Sequence, residues 1–320
     1  MTVTSEGSRT VGVRLLPGTS DLAALFSLDF DERLFRRNYR WPVLVSAALA
    51  ADADDLDRWL TAGAATLLGR DLAARTLNRI ASEAAEPLYL QAIVSGGSPR
   101  TQEEIRIGIA EACLEADCTF LSGAESSTWD RKVTIAAVAA GVVERVKMMS
   151  CRQFALGDVV LALASPRLWP PLAERARELL AAPAVPKAGD APGDAAATHV
   201  QPAPVLAGRL QTVLSHYTVK RVIHAMTPVE SDGLEAALRR VIGPEVAVKR
   251  SRMRRPLADL LATLQARGLI VDGADEAHAR GIGFLVVVSE PFAAAVARRL
   301  QRLGAPAAVF GHLVAPGQDD

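Results

Sequence analysis

The densest group of charged side chains lies in the second half of the chain. The heptapeptide 249–255 carries five cations and no anion: Lys249, Arg250, Arg252, Arg254 and Arg255. Its positive potential would attract a phosphate-bearing ligand, an acidic partner or RNA. A solvated basic loop between a strand and the helix that opens at Pro256 is the commoner explanation of such a run. The sequence therefore leaves two alternatives, an anion site and an ordinary surface loop.

The three cysteines point to neither a metal site nor a disulfide framework. Cys113, Cys118 and Cys151 contain no C-x-x-C pair, and an odd number cannot all pair within one chain. Cys113 lies on the apolar face of a predicted helix. We expect it to be a small buried side chain rather than a reactive thiol.

Composition indicates a folded protein of 320 residues, of which 50% are hydrophobic and 22% charged. This length allows two domains with separate cores. Lys and Arg number 36 and Asp and Glu also 36, so no overall field attracts nucleic acid or an anionic membrane. No apolar run is long enough to span a membrane and the N-terminus lacks a signal-peptide pattern, so we expect a cytoplasmic protein.

Hydrophobic periodicity predicts alternating strands and helices in both halves. The first half has strands at 42–46, 89–94, 119–121 and 133–144, with helices at 71–82 and 103–116. The second half has strands at 159–163, 245–249, 282–288 and 309–314, with helices at 172–180, 234–241, 257–266 and 292–303. The Ala- and Pro-rich segment 181–205 has no apolar period and is predicted to be a flexible connection. Helices layered against sheets give an α/β (α+β) fold class.

Several phrases resemble the AIR synthase (phosphoribosylformylglycinamidine cyclo-ligase) family in order and spacing. In the first half they are Pro42-Val43-Leu44-Val45-Ser46, Ala85-Glu86-Pro87-Leu88, Gly108-Ile109-Ala110-Glu111, Gly141-Val142-Val143-Glu144 and Gly157-Asp158-Val159. Downstream they are His224-Ala225-Met226, Gly233-Leu234, Arg240-Val241, Leu264-Gln265-Ala266-Arg267-Gly268 and Gly281-Ile282-Gly283-Phe284. The resemblance covers roughly residues 40 to 315 apart from the connection.

The resemblance implies an N-terminal extension at 1–39, a barrel-forming α/β domain at 40–150 and a C-terminal α/β domain at 151–320. Selenophosphate synthetase, thiamine-monophosphate kinase and the hydrogenase-maturation dehydratase share this architecture. These relatives bind ATP between the domains and across a dimer, so a homodimer or heterodimer through the N-terminal domain is also implied. Fold alone does not fix the reaction.

The phosphate loop of this family differs in this chain. The family has G-T-D-G-V-G-T-K after its first strand, whereas this chain has Ala47-Ala48-Leu49-Ala50-Ala51-Asp52-Ala53-Asp54. Leu49 stands where the family has a metal-binding Asp, and Asp54 replaces the Lys. An anion in place of a cation beside triphosphate reverses the sign of the interaction.

The resemblance also implies a remnant cofactor site at Asp71, Asn78, Arg79 and Glu125. The family has D-L-x-x-x-x-x-N-D on a helix, and here Arg79 replaces the second carboxylate, so it would bind phosphate rather than magnesium. The commoner alternative is that Asp71 caps the helix start and Arg79 lies on a solvated face. Glu125 is displaced by one position from the glutamate of the family's G-G-E-T.

The second domain shows comparable losses. The family's H-S-N-G-Y-S segment is replaced by Ser165-Pro166-Arg167-Leu168-Trp169, and its T-G-G-G phosphate turn by Glu230-Ser231-Asp232-Gly233, an acidic cap. Near the C-terminus the family's F-N-x-G-V-G-M becomes His278-Ala279-Arg280-Gly281-Ile282-Gly283-Phe284, which keeps the glycines and loses the Asn. His224 matches the family, but a structural histidine is the commoner interpretation.

Three functional hypotheses follow. The first is a non-catalytic relative that has lost the cyclo-ligase activity, needs no cofactor or metal and acts as a structural or regulatory partner. The alternative is a divergent enzyme that uses ATP and Mg²⁺ or a phosphate-bearing ligand, recognised by Arg79 and the cluster at 249–255. A genuine cyclo-ligase of purine biosynthesis is the third possibility.

Overall fold

The computed structural model describes residues 39–122, 132–149, 154–167, 169, 201–251 and 281–318. In the first half the elements are β1 (Pro42–Ala50), α1 (Ala53–Thr61), α2 (Ala65–Ser82), β2 (Glu86–Ser95), α3 (Pro99–Glu115), β3 (Thr119–Ser122) and β4 (Thr134–Glu144). In the second half they are β5 (Val159–Ala164), α4 (Ala207–His216), β6 (Ile223–Pro228), α5 (Gly233–Ile242), β7 (Ala247–Arg250), β8 (Ile282–Val288), α6 (Ala293–Arg302) and β9 (Ala307–Val314). None of the described helices is long and apolar enough to cross a membrane.

The N-terminal sheet has the strand order β1-β4-β2-β3, with β1 at one edge. β1 pairs antiparallel with β4, so that Ala48 lies opposite Val138, and β4 pairs antiparallel with β2. β3 is parallel to β2, and α3 connects the two. The alternating exposure along β1 shows that one face of this sheet is covered and the other is open.

Helices α2 and α3 cover one face of this sheet and contact each other closely at two glycines. A Cβ atom at Gly108 would lie 1.8 Å from the carbonyl oxygen of Thr66, and one at Gly69 would lie 2.0 Å from that of Ile105. No side chain fits at either distance, so the two glycines permit the helices to pack backbone against backbone. This contact holds α2, which carries Asp71, Asn78 and Arg79, in a fixed position.

The C-terminal sheet is antiparallel, in the order β6-β8-β5-β9-β7. Its central strands β5 and β8 are buried along almost their whole length, as expected for strands covered on both faces. Val160, Leu285 and Val287 pack with α5 in one core. Val159, Leu161 and Val286 belong to a second core that continues into α2 and the N-terminal sheet. The two halves therefore share buried apolar surface.

The structure confirms the α/β class and nearly all of the sequence-predicted elements that lie within the described residues. The strand predicted at 282–288 has those bounds, and the helix predicted at 234–241 is one residue longer at each end. Cys113 is buried on α3 and is a free thiol, as expected. The helices predicted at 172–180 and 257–266 and the third cysteine, Cys151, lie outside the described residues.

Three predictions about the elements are wrong. The segment 47–54 is not a loop, because β1 continues to Ala50 and α1 begins at Ala53. Alanines tolerate a strand when a partner supplies the hydrogen bonds, and β4 does so here. α2 begins at Ala65, six residues before the predicted start. The end of the predicted flexible connection is buried, with Ala203 9% and Val205 1% exposed.

Candidate functional site

A cavity of about 720 Å³ opens between the two sheets, where β1 and α2 face β6 and α5. Its polar lining comes from Ser46, Arg79, Ser82, Glu83, Thr227, Glu230, Asp232 and Arg240. The cavity is large enough for a small-molecule ligand. It contains Arg79 from the predicted remnant site and both carboxylates of the predicted acidic cap.

The predicted phosphate ligand Arg79 is bound to a carboxylate of the opposite domain. Its Nε donates to Glu230 Oε1 at 2.6 Å, and its Nη2 pairs with Glu230 Oε2. This bidentate hydrogen bonding is the main cause of the raised pKa of Arg79. Arg79 is therefore not on a freely solvated face, and the guanidinium that would bind phosphate already has a counter-charge.

The prediction that residues 230–233 form an acidic helix cap is wrong. Asp232 stands at the N-terminal boundary of α5, but its side chain makes no capping hydrogen bond. It pairs instead with Arg240, one of whose nitrogens also donates to the carbonyl oxygen of Pro228 at 3.0 Å. Gly233 has φ +85°, a left-handed conformation that favours glycine. We call Arg79 with Glu230 and Arg240 with Asp232 the cleft ion pairs.

Glu83, at the end of α2, is the third carboxylate of the cavity. Burial raises its pKa, because a half-buried carboxylate is poorly solvated. Together with the two cleft ion pairs, the cavity lining carries two cations and three carboxylates. This balance does not favour a polyanionic ligand.

A second group of ion pairs lies where α1, α2 and the segment after β5 meet. We call it the arginine cluster: Asp55, Arg58, Asp71, Arg75 and Arg167. Arg167 Nε donates to both carboxylate oxygens of Asp71, at 2.8 and 2.9 Å, and its Nη2 donates to Asp55 Oδ2 at 2.5 Å. Arg58 pairs with Asp55 Oδ1. Arg75 Nη1 lies 3.6 Å from Asp71 Oδ2 and 3.8 Å from Asp55 Oδ2.

The arginine cluster is almost completely buried. The exposed fraction of the side chain is 1% for Arg167, 6% for Arg58 and 11% for Arg75. Burial lowers the pKa of Arg58 and of Arg75, and repulsion by Arg167 acts in the same direction. Burial also acts to lower the pKa of Arg167, but attraction by Asp71 and Asp55 outweighs it, so the net shift is upward.

Arg167 is the central residue that the sequence analysis missed. It lies in the segment that replaces the family's H-S-N-G-Y-S, directly after the buried strand β5. Its guanidinium also stacks on the ring of Trp169 at 3.5 Å, and Arg75 lies 4.7 Å from the same ring. The sequence Arg167-Leu168-Trp169, shortly after the buried strand, is the pattern that could have indicated this residue. Residue spacing in the sequence could not predict its carboxylate partners, because they lie on helices about a hundred residues earlier.

Asp71 and Asn78 bind the chain itself. Asp71 is 2% exposed in the middle of α2, so the interpretation of Asp71 as a helix cap is wrong. Besides Arg167, it accepts the backbone N–H of Ala203 at 2.8 Å. Asn78 Nδ2 donates to the carbonyl oxygen of Pro204 at 2.9 Å, and Asn78 Oδ1 accepts the N–H of Leu206 at 2.8 Å. These bonds hold residues 203–206 against α2, which explains why this end of the predicted connection is buried.

The residues around Asp71 do not fit a magnesium-bound nucleotide. Both oxygens of Asp71 and both of Asp55 face guanidinium groups, and a second cation at the same oxygens would be repelled. Among the described residues no group of three or more His, Cys, Asp or Glu side chains is arranged to hold a metal ion.

The other candidate residues lie apart from the cavity or outside the described part of the chain. Lys249 and Arg250 end β7, and Arg250 pairs with Glu235 and lies 5.7 Å from the ring of Phe310. Arg252, Arg254, Arg255 and Glu125 lie outside the described residues. His224 Nδ1 is 2.6 Å from Asp158 Oδ2, which ties β6 to the turn before β5. This contact agrees with the structural interpretation of the histidine.

Comparison with known proteins shows what this chain is similar to. Residues 46–143 match the family described as AIR synthase related protein, N-terminal domain. A phosphoribosylformylglycinamidine cyclo-ligase of Cupriavidus taiwanensis is 28% identical over 311 residues, which cover 92% of this chain and 83% of that protein. The chain thus resembles the AIR synthase family: residues 46–143 match the family's N-terminal domain, and most of its length is similar to cyclo-ligases.

Solved structures of other proteins show the same fold. Thiamine-monophosphate kinase from Stenotrophomonas maltophilia superposes with a TM-score of 0.62 at 19% identity, covering 86% of this chain and 84% of that one. The hydrogenase maturation protein HypE in complex with ATP superposes with a TM-score of 0.60 at 16% identity, covering 86% and 78%. At these identities the superpositions establish the fold and not the reaction.

Proposed function

We propose that this AIR-synthase-like protein has lost the cyclo-ligase activity and acts as a non-catalytic structural or regulatory subunit. The observation that carries the proposal is the arginine cluster. Asp71 and Asn78, which the resemblance assigns to the cofactor site, are bound to Arg167 and to the backbone of 203–206. These side chains therefore hold the fold together instead of facing a ligand.

The electrostatics of the cavity support the same proposal. In the relatives that the resemblance describes, ATP binds between the domains. Here the two arginines of the corresponding cavity are neutralised by Glu230 and Asp232. A triphosphate would have to displace these carboxylates and bear the repulsion of their charges.

A turnover assay tests the proposal. The full chain is incubated with phosphoribosylformylglycinamidine, ATP and Mg²⁺, and release of phosphate and ADP is measured. The cyclo-ligase of Cupriavidus taiwanensis is the positive control. We expect no release above the rate without protein. Turnover within tenfold of the positive control would overturn the proposal.

We further propose that the chain forms a dimer through its N-terminal sheet. Leu44, Val138 and Ile93 lie on the open face of that sheet and are 70%, 47% and 57% exposed. β1 is an edge strand, so its outer backbone groups are available for pairing. Exposed apolar side chains on an open sheet face support association. Leu44→Asp is expected to shift the mass in light scattering from dimer to monomer, and an unchanged mass would contradict this.

A second candidate function is a divergent enzyme of the superfamily that takes a phosphate-bearing ligand. Two observations favour it: the two halves of the chain enclose a cavity of about 720 Å³, and the similar protein of Cupriavidus taiwanensis is named as an enzyme, a cyclo-ligase. Opening of the cleft ion pairs would free Arg79 and Arg240 for a phosphate group. Saturable binding of a phosphorylated small molecule that Arg79→Ala abolishes would favour the enzyme over the non-catalytic subunit. Binding that is absent, or unaffected by Arg79→Ala, would remove this candidate.

A further inference from the structure

The arginine cluster holds one more positive charge than its carboxylates neutralise. Within the described part of the chain, the three guanidinium groups of Arg58, Arg75 and Arg167 pair with two carboxylates, Asp55 and Asp71. The group therefore carries a net charge of +1 in a site where no arginine side chain is more than 11% exposed. A buried charge without a counter-charge is strongly unfavourable.

Each of the same three side chains has a buried hydrogen-bond donor without an acceptor among the described residues. Within the described residues, Arg58 Nε, Arg75 Nε and Arg167 Nη1 are buried and have no acceptor. The indole nitrogen of Trp59, next to Arg58 on α1, is a fourth buried donor without one. Buried donors in folded proteins rarely lack an acceptor. Three such donors in the arginine cluster, and a fourth in Trp59 beside it, therefore need an explanation.

Among the described residues, two further carboxylates near the cluster, Glu230 and Asp52, do not supply the missing charge. Glu230 acts electrostatically on Arg75, but it is hydrogen-bonded to Arg79 and is neutralised there. Asp52 accepts the backbone N–H of Asp55 at the start of α1 and is exposed. Repulsion between the arginines is also visible in the pKa values of Arg58 and Arg75, which Arg167 acts to lower.

We propose that the arginine cluster binds one small monovalent anion, a halide or a small carboxylate such as formate. The charge follows from the excess of one cation. The small size follows from the burial of the three side chains, which leaves no access for a nucleotide or a polyphosphate. The anion acts as a structural cofactor that satisfies the free donors between α1, α2 and the segment after β5. This inference goes beyond the proposed function and does not depend on whether the cavity binds a ligand.

Anomalous diffraction from crystals of the full chain soaked in sodium bromide tests the site directly. We expect a bromide peak in contact with guanidinium nitrogens of the cluster. Peaks confined to the protein surface, with none at the cluster, would overturn the inference. This measurement uses the unmodified protein, so it does not depend on a variant that folds.

Thermal unfolding gives an independent test in solution. Bromide and formate are expected to raise the Tm of the unmodified chain by about 2–4 °C over equal concentrations of gluconate, an anion too large for the site. Arg75→Met removes the excess charge and should abolish this difference. The matched control Arg240→Met removes an exposed arginine and should keep it. Equal Tm values in bromide, formate and gluconate, or loss of the difference in Arg240→Met as well, would contradict the inference.

Discussion

The arginine cluster and the cleft ion pairs use the same chemistry in two different settings. In both groups arginines pair with carboxylates, and each group contains an arginine whose pair joins the two halves of the chain: Arg167 with Asp71 in the cluster and Arg79 with Glu230 in the cleft. They differ in exposure: the side chain of Arg167 is 1% exposed, whereas those of Arg240 and Asp232 are 41% and 48% exposed. Arg79 and Glu230 are intermediate, at 35% and 13%.

This difference determines what each group can do. A buried ion pair is expensive to break, because the remaining charge has neither water nor a partner. An exposed pair contributes little and exchanges its partner for water or a ligand at small cost. The arginine cluster therefore fixes the relative position of α1, α2 and the segment after β5, while the cleft ion pairs leave the cavity open to change.

The largest expected effect comes from removing Arg167. Arg167→Met removes the buried hydrogen bonds that Arg167 donates to Asp71 and Asp55 and leaves those carboxylate oxygens with fewer donors, so we expect the free energy of unfolding to fall by about 3–5 kcal/mol. Urea denaturation measures the change. The matched control Arg240→Met should change stability by less than about 1 kcal/mol. Equal losses in the two variants would remove the distinction between the two groups.

An intermediate effect is expected from a double-mutant cycle on Arg79→Ala and Glu230→Ala. Because Arg79 is one-third exposed, solvent screening limits the coupling free energy to about 0.2–1 kcal/mol, and added salt should reduce it further. The corresponding cycle on Arg167 and Asp71 should give a larger coupling free energy, and added salt should not change it. If the cleft cycle gave the larger coupling, the assignment of the cluster as the main structural contact would be wrong.

The smallest effect is expected at Glu83. Its pKa is raised in the folded protein by burial, so the folded state binds a proton more tightly than the unfolded chain. The stabilisation from this proton is present below the unfolded pKa and is lost as the pH rises through the folded pKa. Glu83→Gln should therefore be more stable than the unmodified chain at neutral pH, and the advantage should disappear in acid. A pH-independent difference in Tm would show that desolvation of this carboxylate is not the cause.

Most of the scaffold could be predicted from the sequence because strand and helix periodicity is a local property. The strand at 282–288 and the helix near 233–242 follow from their own apolar residues. The strand part of 47–54 could not be recognised in this way, since alanines carry little strand preference and the decisive hydrogen bonds come from β4.

The candidate site was predicted only in part. Asp71, Asn78 and Arg79 were found because they match a family helix, but their partners were not. Arg167 and residues 203–206 are brought to Asp71 and Asn78 by tertiary packing over about a hundred residues of chain or more. No spacing rule encodes that contact. The predictions of a helix cap at Asp71 and of a solvated face at Arg79 were wrong for the same reason, because both depend on partners distant in the sequence.

Isothermal titration of the full chain with Mg-ATP tests the central claim most directly, namely that Arg167 occupies Asp71, the carboxylate that the family resemblance assigns to the cofactor site. We predict no saturable heat of binding at micromolar or low millimolar Mg-ATP, with the chain shown to be folded by circular dichroism in the same buffer. Micromolar binding of Mg-ATP, weakened by Asp71→Asn, would contradict the claim, because Asp71 would then have to face the nucleotide and its metal instead of Arg167.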